Sequence, residues 1–238
     1  MTSFDIRSKA RALLSGKWLM AVIAGFLASV LGAIGGGGSL DLNFSTEDSG
    51  DGEIGQLISN LDIPEEIIGA LITIISAVVL LGVFYSLISF VIGSVVSVGY
   101  AQFNLDLVDE RDVSVGTLFS RFGQWKTAII ARLMVSIRVM LWSLLFVIPG
   151  IIASYDYAMV SFVLADNPEM SYRDALEESK RLMLGNRWRL FCLEISFIGW
   201  AILSLFTLGI GSLFLVPYTQ TSHAVFYRDI KAEKNYIA

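Results

Sequence analysis

The sequence predicts an all-α fold, a polytopic transmembrane helical bundle of about six spans. Three observations predict it. Of the 238 residues 55% are hydrophobic and only 16% are charged, whereas soluble domains carry about 25% charged residues. The chain contains long runs with few or no charges, and all 17 Lys and Arg fall within 1–17 or 111–234. A soluble protein of this length cannot bury so much apolar surface, so the excess is expected to face lipid.

The lengths of the apolar runs set the predicted spans. Residues 126–165 and 190–227 form runs of 40 and 38 residues, each roughly 60 Å as continuous helix, which is about twice the hydrocarbon thickness. Each run is therefore predicted to be a hairpin, turning at Pro149-Gly150 and at Gly209-Ile210-Gly211. The predicted spans are about 18–34, 67–98, 127–148, 150–165, 190–207 and 212–227.

Charge sets the predicted orientation. Residues 35–66 contain eight acidic and no basic residues, and basic loops stay cytoplasmic. We therefore expect 35–66 to be an acidic extracellular loop, 67–98 to cross once, and both termini to be cytoplasmic. A cleaved signal peptide is the alternative for the first span, but its basic region is long and its cleavage site is mediocre, which favours a retained helix.

Residues 166–189 are predicted to form a cytoplasmic amphipathic helix. Ser171 with Asp174 three residues later resembles a capping box at its start. Glu177 and Arg181 have the spacing of a favourable i,i+4 ion pair. Such a helix lies on the membrane or packs beneath the bundle.

At three places where a predicted span leaves the cytoplasm, a tryptophan follows a glycine within three residues. This pattern marks Trp18, Trp125 and Trp188 as interfacial anchors. Gly185 suits a helix C-cap, and residues 1–17 form a second basic, amphipathic segment. The likeness of "SKARALLSGKW" to "SKRLMLGNRW" raises a second interpretation, an internal repeat of cytoplasmic helix, Gly-Trp junction and hairpin.

Four charged residues lie inside the predicted spans, where each costs at least about 2.5–3.5 kcal/mol unless it is compensated. Counting from the nearest interface predicts an Arg138–Asp156 ion pair across the first hairpin, near the midplane. Arg132 and Glu194 share a shallower depth and are expected to pair or to snorkel.

These intramembrane charges have two open interpretations. In the first, they form interhelical pairs that fix the bundle. In the second, they line a polar cavity for a substrate, a proton or a lipid head group, flanked by Tyr155, Tyr157 and His223. The single His and the single Cys, Cys192, predict no metal site, no disulfide and no catalytic constellation, so no cofactor is expected. Cations scattered along the membrane boundary give nucleic-acid binding no support.

Several motifs occur in a fixed order over the second half of the chain: "IPGII" (148–152), "LADNP" (164–168), "LMLG" (182–185), "FIGW" (197–200), "TLGIG" (207–211) and "PY" (217–218). In this order they resemble a bacterial integral-membrane family known as domain of unknown function 975. The resemblance is strongest over 145–227 and fails over the 35–66 loop. It implies a relationship to the membrane-anchor region of some glycerophosphodiester phosphodiesterases, without their catalytic domain and without any assigned site residues.

The sequence thus predicts one membrane domain, 1–238, in the cell membrane, with the lipid bilayer and another membrane protein as candidate partners and the oligomeric state open. A non-enzymatic accessory or scaffold protein that binds lipid or another membrane protein is the favoured function. The first alternative is a small transporter with its polar site at Arg138 and Asp156. The second is a lipid-modifying enzyme, for which no nucleophile stands out.

Overall fold

The computed structural model describes residues 1–33, 65–207 and 210–237, and within these ranges the chain forms helices and connecting turns, which confirms the all-α prediction. The predicted 35–66 loop lies outside them, except that Glu65 and Glu66 already belong to a helix. Two short 3-10 helices, Val115–Phe119 and Phe122–Gln124, precede the α-helix that begins at Trp125. The α-helices are α1 (Ser3–Leu14), α2 (Trp18–Val30), α3 (Glu65–Val108), α4 (Trp125–Leu145), α5 (Val147–Asp156), α6 (Val160–Asp166), α7 (Tyr172–Met183), α8 (Arg187–Phe206) and α9 (Ser212–Ile237).

The chain divides into two units, Met1–Ser39 with Phe90–Ala238, and Leu40–Ser89. The described part of the second unit is helical and carries large apolar side chains on its surface. Leu80 and Phe84, for example, are 72% and 63% exposed. Such a helix suits a hydrocarbon environment, because contact with water would leave this apolar surface unfavourably hydrated.

Three helical stretches are long and apolar enough to cross a membrane: Thr73–Val108, Val115–Leu145 and Val147–Asp166. They correspond to the second, third and fourth predicted spans and indicate a membrane protein. The first predicted span is short, because α2 has 13 residues, or about 20 Å; joined to α1, across a bend of 105°, it makes a fourth candidate. The last two predicted spans form α8 and α9, which do not meet the same length and hydropathy within the described residues.

The first hairpin turns earlier than predicted. Phe146 is the extended residue between α4 and α5, and Pro149 and Gly150 lie inside the first turn of α5. A proline is tolerated there because N–H groups of the first turn need no helical partner. In the second hairpin Gly211 directly precedes α9, as predicted, whereas Gly209 lies outside the described residues.

Helices α1 and α7 share one design. Each has 12 residues and begins at a side-chain cap, Thr2 for α1 and Ser171 for α7. Two residues beyond each helix stands a glycine with positive φ, Gly16 at 82° and Gly185 at 87°, a conformation that disfavours other residues. The helix cap predicted for Ser171 and the role predicted for Gly185 are confirmed.

The buried faces of these two helices also match, with the residues at equal distances from the cap buried: Ile6, Ala10 and Leu14 in α1, and Ala175, Ser179 and Met183 in α7. The junction before Trp125 differs, since 3-10 turns precede it. The likeness therefore holds for two of the three junctions. The ion pair of α7 joins Arg181 to Glu178 at 2.7 Å rather than to Glu177, because the i,i+3 neighbour offers its carboxylate to the guanidinium fork.

The hydrophobic core of the first unit is one cluster of buried side chains from several helices, among them α1, α7, the C-terminal part of α3 and the middle of α9. Fully buried side chains there include Phe103, Leu107 and Phe226. Phe162 stacks on Tyr227 with ring centroids 5.8 Å apart. This packed core leaves a cavity on one side, among the spans.

Candidate ligand cavity

A cavity of about 490 Å³ lies within the first unit, among α3, α4, α5, α6, α8 and α9. Alanine and serine residues of α3 and α4, such as Ser97 and Ala131, leave the space. Its lining contains six titratable side chains: Tyr100, Arg132, Tyr155, Tyr157, Glu194 and His223. All of these residues except Tyr100 are ones that the sequence singles out. The six side chains come from five segments of the chain.

Arg132 of α4 is held on one side only. Its Nη2 donates a hydrogen bond to the carbonyl of Gly32 at 3.1 Å, and its guanidinium lies 5.2 Å from the ring centroid of Phe90. Its Nη1 is buried and has no hydrogen-bond partner. Arg132 makes no ion pair with any residue that the structure describes, so the first of the two expectations, pairing with Glu194, is not met, while snorkelling stays a prediction. Both residues line the cavity.

A close approach of backbones fixes this arginine. At Gly93 of α3 a Cβ atom would lie 2.6 Å from the carbonyl carbon of Gly32 and 2.9 Å from Nη1 of Arg132. Only a glycine leaves room for both at that point. Gly32 itself has φ of 75°, which turns its carbonyl out of the end of α2 toward the guanidinium.

Glu194 of α8 accepts a hydrogen bond from a tyrosine. The Oη of Tyr155 donates to Oε2 of Glu194 at 2.5 Å. Nε2 of His223 stands 3.9 Å from Oε1 of the same carboxylate, too far for a hydrogen bond, and it is buried without a partner. Glu194 is thus partly satisfied, while the imidazole still offers a nitrogen to the cavity.

Tyr100 is the member of the cavity that sequence reasoning misses. It is 3% exposed, and its buried Oη has no hydrogen-bond partner. It stands in a long uncharged run of α3, where a tyrosine gives no signal that separates a cavity residue from a packed aromatic one. Of the five buried side-chain polar atoms without partners in the described ranges, three belong to residues that line this cavity: Tyr100, Arg132 and His223. The hydroxyl of Tyr100 itself lies next to Gly25 of α2.

The predicted Arg138–Asp156 pair is wrong. Asp156 receives two hydrogen bonds from Arg187, at 2.5 and 3.0 Å, and its backbone carbonyl accepts from Ser179 at 2.8 Å. Arg138 instead donates to the Oη of Tyr157 at 3.1 Å. The depth count assumed one continuous helix, but α5 ends at Asp156, and the carboxylate there faces the junction of α7 and α8.

The three tryptophans stand where helices begin. Trp18 opens α2, Trp125 opens α4, and Trp188 is the second residue of α8. Lys126 lies over the ring of Trp125, 5.5 Å from its centroid. These positions match the predicted Gly-Trp junctions, while their placement at a bilayer interface stays a prediction.

A second charged region, which we call the carboxylate clamp, consists of Asp109, Asp166, Arg228 and Lys231. Arg228 contacts Asp109 at 2.6 Å and Asp166 at 2.9 Å, and Lys231 also pairs with Asp166. Burial alone would lower the pKa of Arg228, but its hydrogen bonds to both carboxylates raise it above the ordinary value. The clamp thus ties the ends of α3 and α6 to α9.

The chemistry of the cavity is that of binding and proton exchange. In the described ranges no group of three or more His, Cys, Asp or Glu residues is placed to hold a metal ion. Arg132 offers hydrogen-bond donors, Glu194 offers a carboxylate, and His223 donates or accepts according to its tautomer.

Residues 143–234 match the model of a family described as a protein of unknown function, DUF975. The match overlaps the region over which the motifs suggest that resemblance. No curated protein and no solved structure matches the chain. The matched segment includes Tyr155, Tyr157, Glu194 and His223, whereas Tyr100 and Arg132 precede it.

Proposed function

We propose that this chain is a non-enzymatic membrane protein that holds a small polar solute or a lipid head group in the cavity, acting as a binding or accessory protein. The observation that carries the proposal is that Arg132 and His223, which both line the cavity, each carry a buried nitrogen without a hydrogen-bond partner. Buried polar groups are almost always hydrogen-bonded, and pockets of about 300–1,000 Å³ with a few convergent polar groups are typical ligand sites.

The proposal includes a topology. The chain crosses the bacterial cell membrane six times, with both termini in the cytoplasm, and α1 and α7 lie on the cytoplasmic side. The basic residues and the Gly-Trp junctions support this orientation. A relationship to the membrane-anchor region of glycerophosphodiester phosphodiesterases belongs to the same proposal and rests on the order of motifs.

The test is to purify the protein in native-lipid nanodiscs and identify by mass spectrometry what accompanies it. We expect a small molecule or lipid enriched with the wild type and lost from Arg132→Gln. Lys126→Gln is the matched control, because it removes a positive charge from the same helix outside the cavity. An identical set of molecules with both variants would contradict the proposal, whereas a stoichiometric protein would point to a scaffold role.

A transporter is the second candidate, and a break in a helix favours it. Residues 157–159 interrupt the stretch between α5 and α6, and Tyr157 at that break lines the cavity. Transporters often place discontinuous helices at their substrate sites. In this case Arg132 and Glu194, rather than Arg138 and Asp156, line the path.

Uptake into proteoliposomes of whatever co-purifies separates the two candidates. A transporter accumulates the solute in a time-dependent manner and loses this activity in Glu194→Gln. A binding protein holds the solute at no more than one equivalent per cavity and shows no time-dependent accumulation.

A further inference from the structure

We propose that the ligand of this cavity carries an oxyanion, a phosphate or carboxylate group, bound by Arg132 with His223 as a further polar contact. The inference rests on the proposed function, since it names the chemical class of the molecule that the cavity holds. Its support is the state of Arg132, which differs from that of the other charged residues around the cavity.

The guanidinium of Arg132 requires a counter-charge. Arginine stays protonated in proteins and its nitrogen atoms only donate hydrogen bonds. A backbone carbonyl and an aromatic ring meet one side of the group, and neither carries a full negative charge. Water in the cavity would satisfy the Nη1 hydrogens, but it would leave the positive charge uncompensated at low dielectric. An oxyanion satisfies both needs.

Glu194 does not supply that counter-charge. Its carboxylate accepts the short hydrogen bond from Tyr155, and no ion pair joins it to Arg132 among the residues that the structure describes. Without that pairing the positive charge of Arg132 stays available to a ligand that enters the cavity. The same charge opposes a simple cation as the occupant.

The further contact comes from a separate helix. His223 on α9 carries a buried ring nitrogen without a partner, and it lines the cavity that Arg132 lines from α4. A phosphate or carboxylate oxygen accepts from a guanidinium and from an imidazole N–H alike. A cationic ligand would leave the charge of Arg132 uncompensated.

The experiment uses the full chain in phosphatidylcholine nanodiscs and follows the thermal unfolding midpoint. The probes are inorganic phosphate, acetate and tetramethylammonium, each compared with sodium chloride at equal ionic strength, and a second set of discs contains phosphatidylglycerol. We expect phosphate, acetate or phosphatidylglycerol to raise the midpoint of the wild type and of Lys126→Gln. The apparent affinity should fall at least about tenfold in Arg132→Gln and several-fold in His223→Phe, since each loses a charge-assisted contact.

The different probes identify the source of the oxyanion. A shift with free phosphate or acetate indicates a soluble ligand, and a shift with phosphatidylglycerol alone indicates a lipid head group; both support the proposal. Should Arg132→Gln fail to fold, Arg132→Met and His223→Phe carry the test, because each removes the contact and retains most of the side-chain volume.

Two outcomes overturn the inference. The first contradicts the oxyanion alone, and the second also contradicts the proposed function. An Arg132-dependent shift with tetramethylammonium and with none of the anions refutes the oxyanion but leaves a ligand-binding cavity. If no probe gives an Arg132-dependent shift and nothing Arg132-dependent accompanies the native-lipid preparation, the oxyanion and the proposed function both fail.

Discussion

Arg228 in the carboxylate clamp and Arg132 in the cavity are partly buried arginines of the same unit. They differ in whether a carboxylate compensates their charge. Arg228 contacts the carboxylates of Asp109 and Asp166. Arg132 has one carbonyl and one aromatic ring, and one of its terminal nitrogens is left without a partner.

The difference separates a charge that holds the structure together from one that is kept for another purpose. Breaking a buried ion pair leaves an uncompensated charge, so both partners depend on each other. An unpaired arginine adds no such mutual support and costs free energy where it stands. Clamp variants should therefore reduce stability, whereas cavity variants should reduce binding.

The largest expected effect comes from Arg228→Gln. It leaves Asp109 without its closest partner, and we expect a loss of about 2–3 kcal/mol in the free energy of unfolding, below the range for fully buried pairs because the site is partly exposed. Arg132→Gln is the matched change in the cavity and should alter the same quantity by less than about 1 kcal/mol. Denaturant unfolding in detergent micelles measures both, and equal losses would remove the distinction.

The next largest loss of stability is expected for Gly93→Ala, which disturbs the position of the Arg132 side chain. The added methyl group overlaps the Gly32 carbonyl and Nη1 of Arg132, so we expect about 1–3 kcal/mol of destabilisation, the usual range for overpacking. The cavity should also lose its ligand. Gly82→Ala in the same helix is the control, because its methyl group meets no atom within 4 Å. If Gly93→Ala were as stable as this control, the close approach would not hold the arginine.

Much of the cavity could be predicted from the sequence, and the reason is physical. A charge inside an apolar run is costly, so Arg132 and Glu194 stand out from composition alone. Tyr155 and Tyr157 stand out because they flank Asp156, and His223 stands out because it is the single histidine of the chain. The spans of α3 and α4, and the capped helix α7, follow similarly from apolar periodicity and cap residues.

What the sequence could not supply depends on breaks and on contacts between distant segments. The partner of Asp156 is Arg187, 31 residues away, and it becomes accessible because α5 ends at Asp156. The turn at Phe146 lies ahead of the Pro-Gly pair because a proline fits the first turn of a helix. Tyr100 could not be told from a packed tyrosine, because only the fold shows that its side chain lines the cavity.

Asp156→Asn extends the comparison to the corrected ion pair. Asn keeps the shape but loses the charge-assisted bonds to Arg187, so we expect about 1–2 kcal/mol of destabilisation with ligand binding unchanged, since Asp156 does not line the cavity. Arg138→Gln removes an exposed charge and should have a smaller effect. Equal effects of the two variants in unfolding assays would instead favour the Arg138–Asp156 pair that the sequence predicts.

The smallest effect concerns Glu178 and Arg181 on α7, a pair near the surface that shows what pairing contributes without burial. The hydrogen bond from Arg181 lowers the pKa of Glu178, and partial burial opposes this only in part. A lowered carboxyl pKa gives stability that is present above the ordinary pKa and is lost as the pH falls through the lowered one. We expect wild type to exceed Glu178→Gln by less than about 1 kcal/mol near neutral pH, and this difference should vanish under strongly acidic conditions. Unfolding midpoints of both proteins across that pH range measure it. A difference as large as that for Arg228→Gln would mean that burial does not distinguish the clamp from an ordinary surface pair.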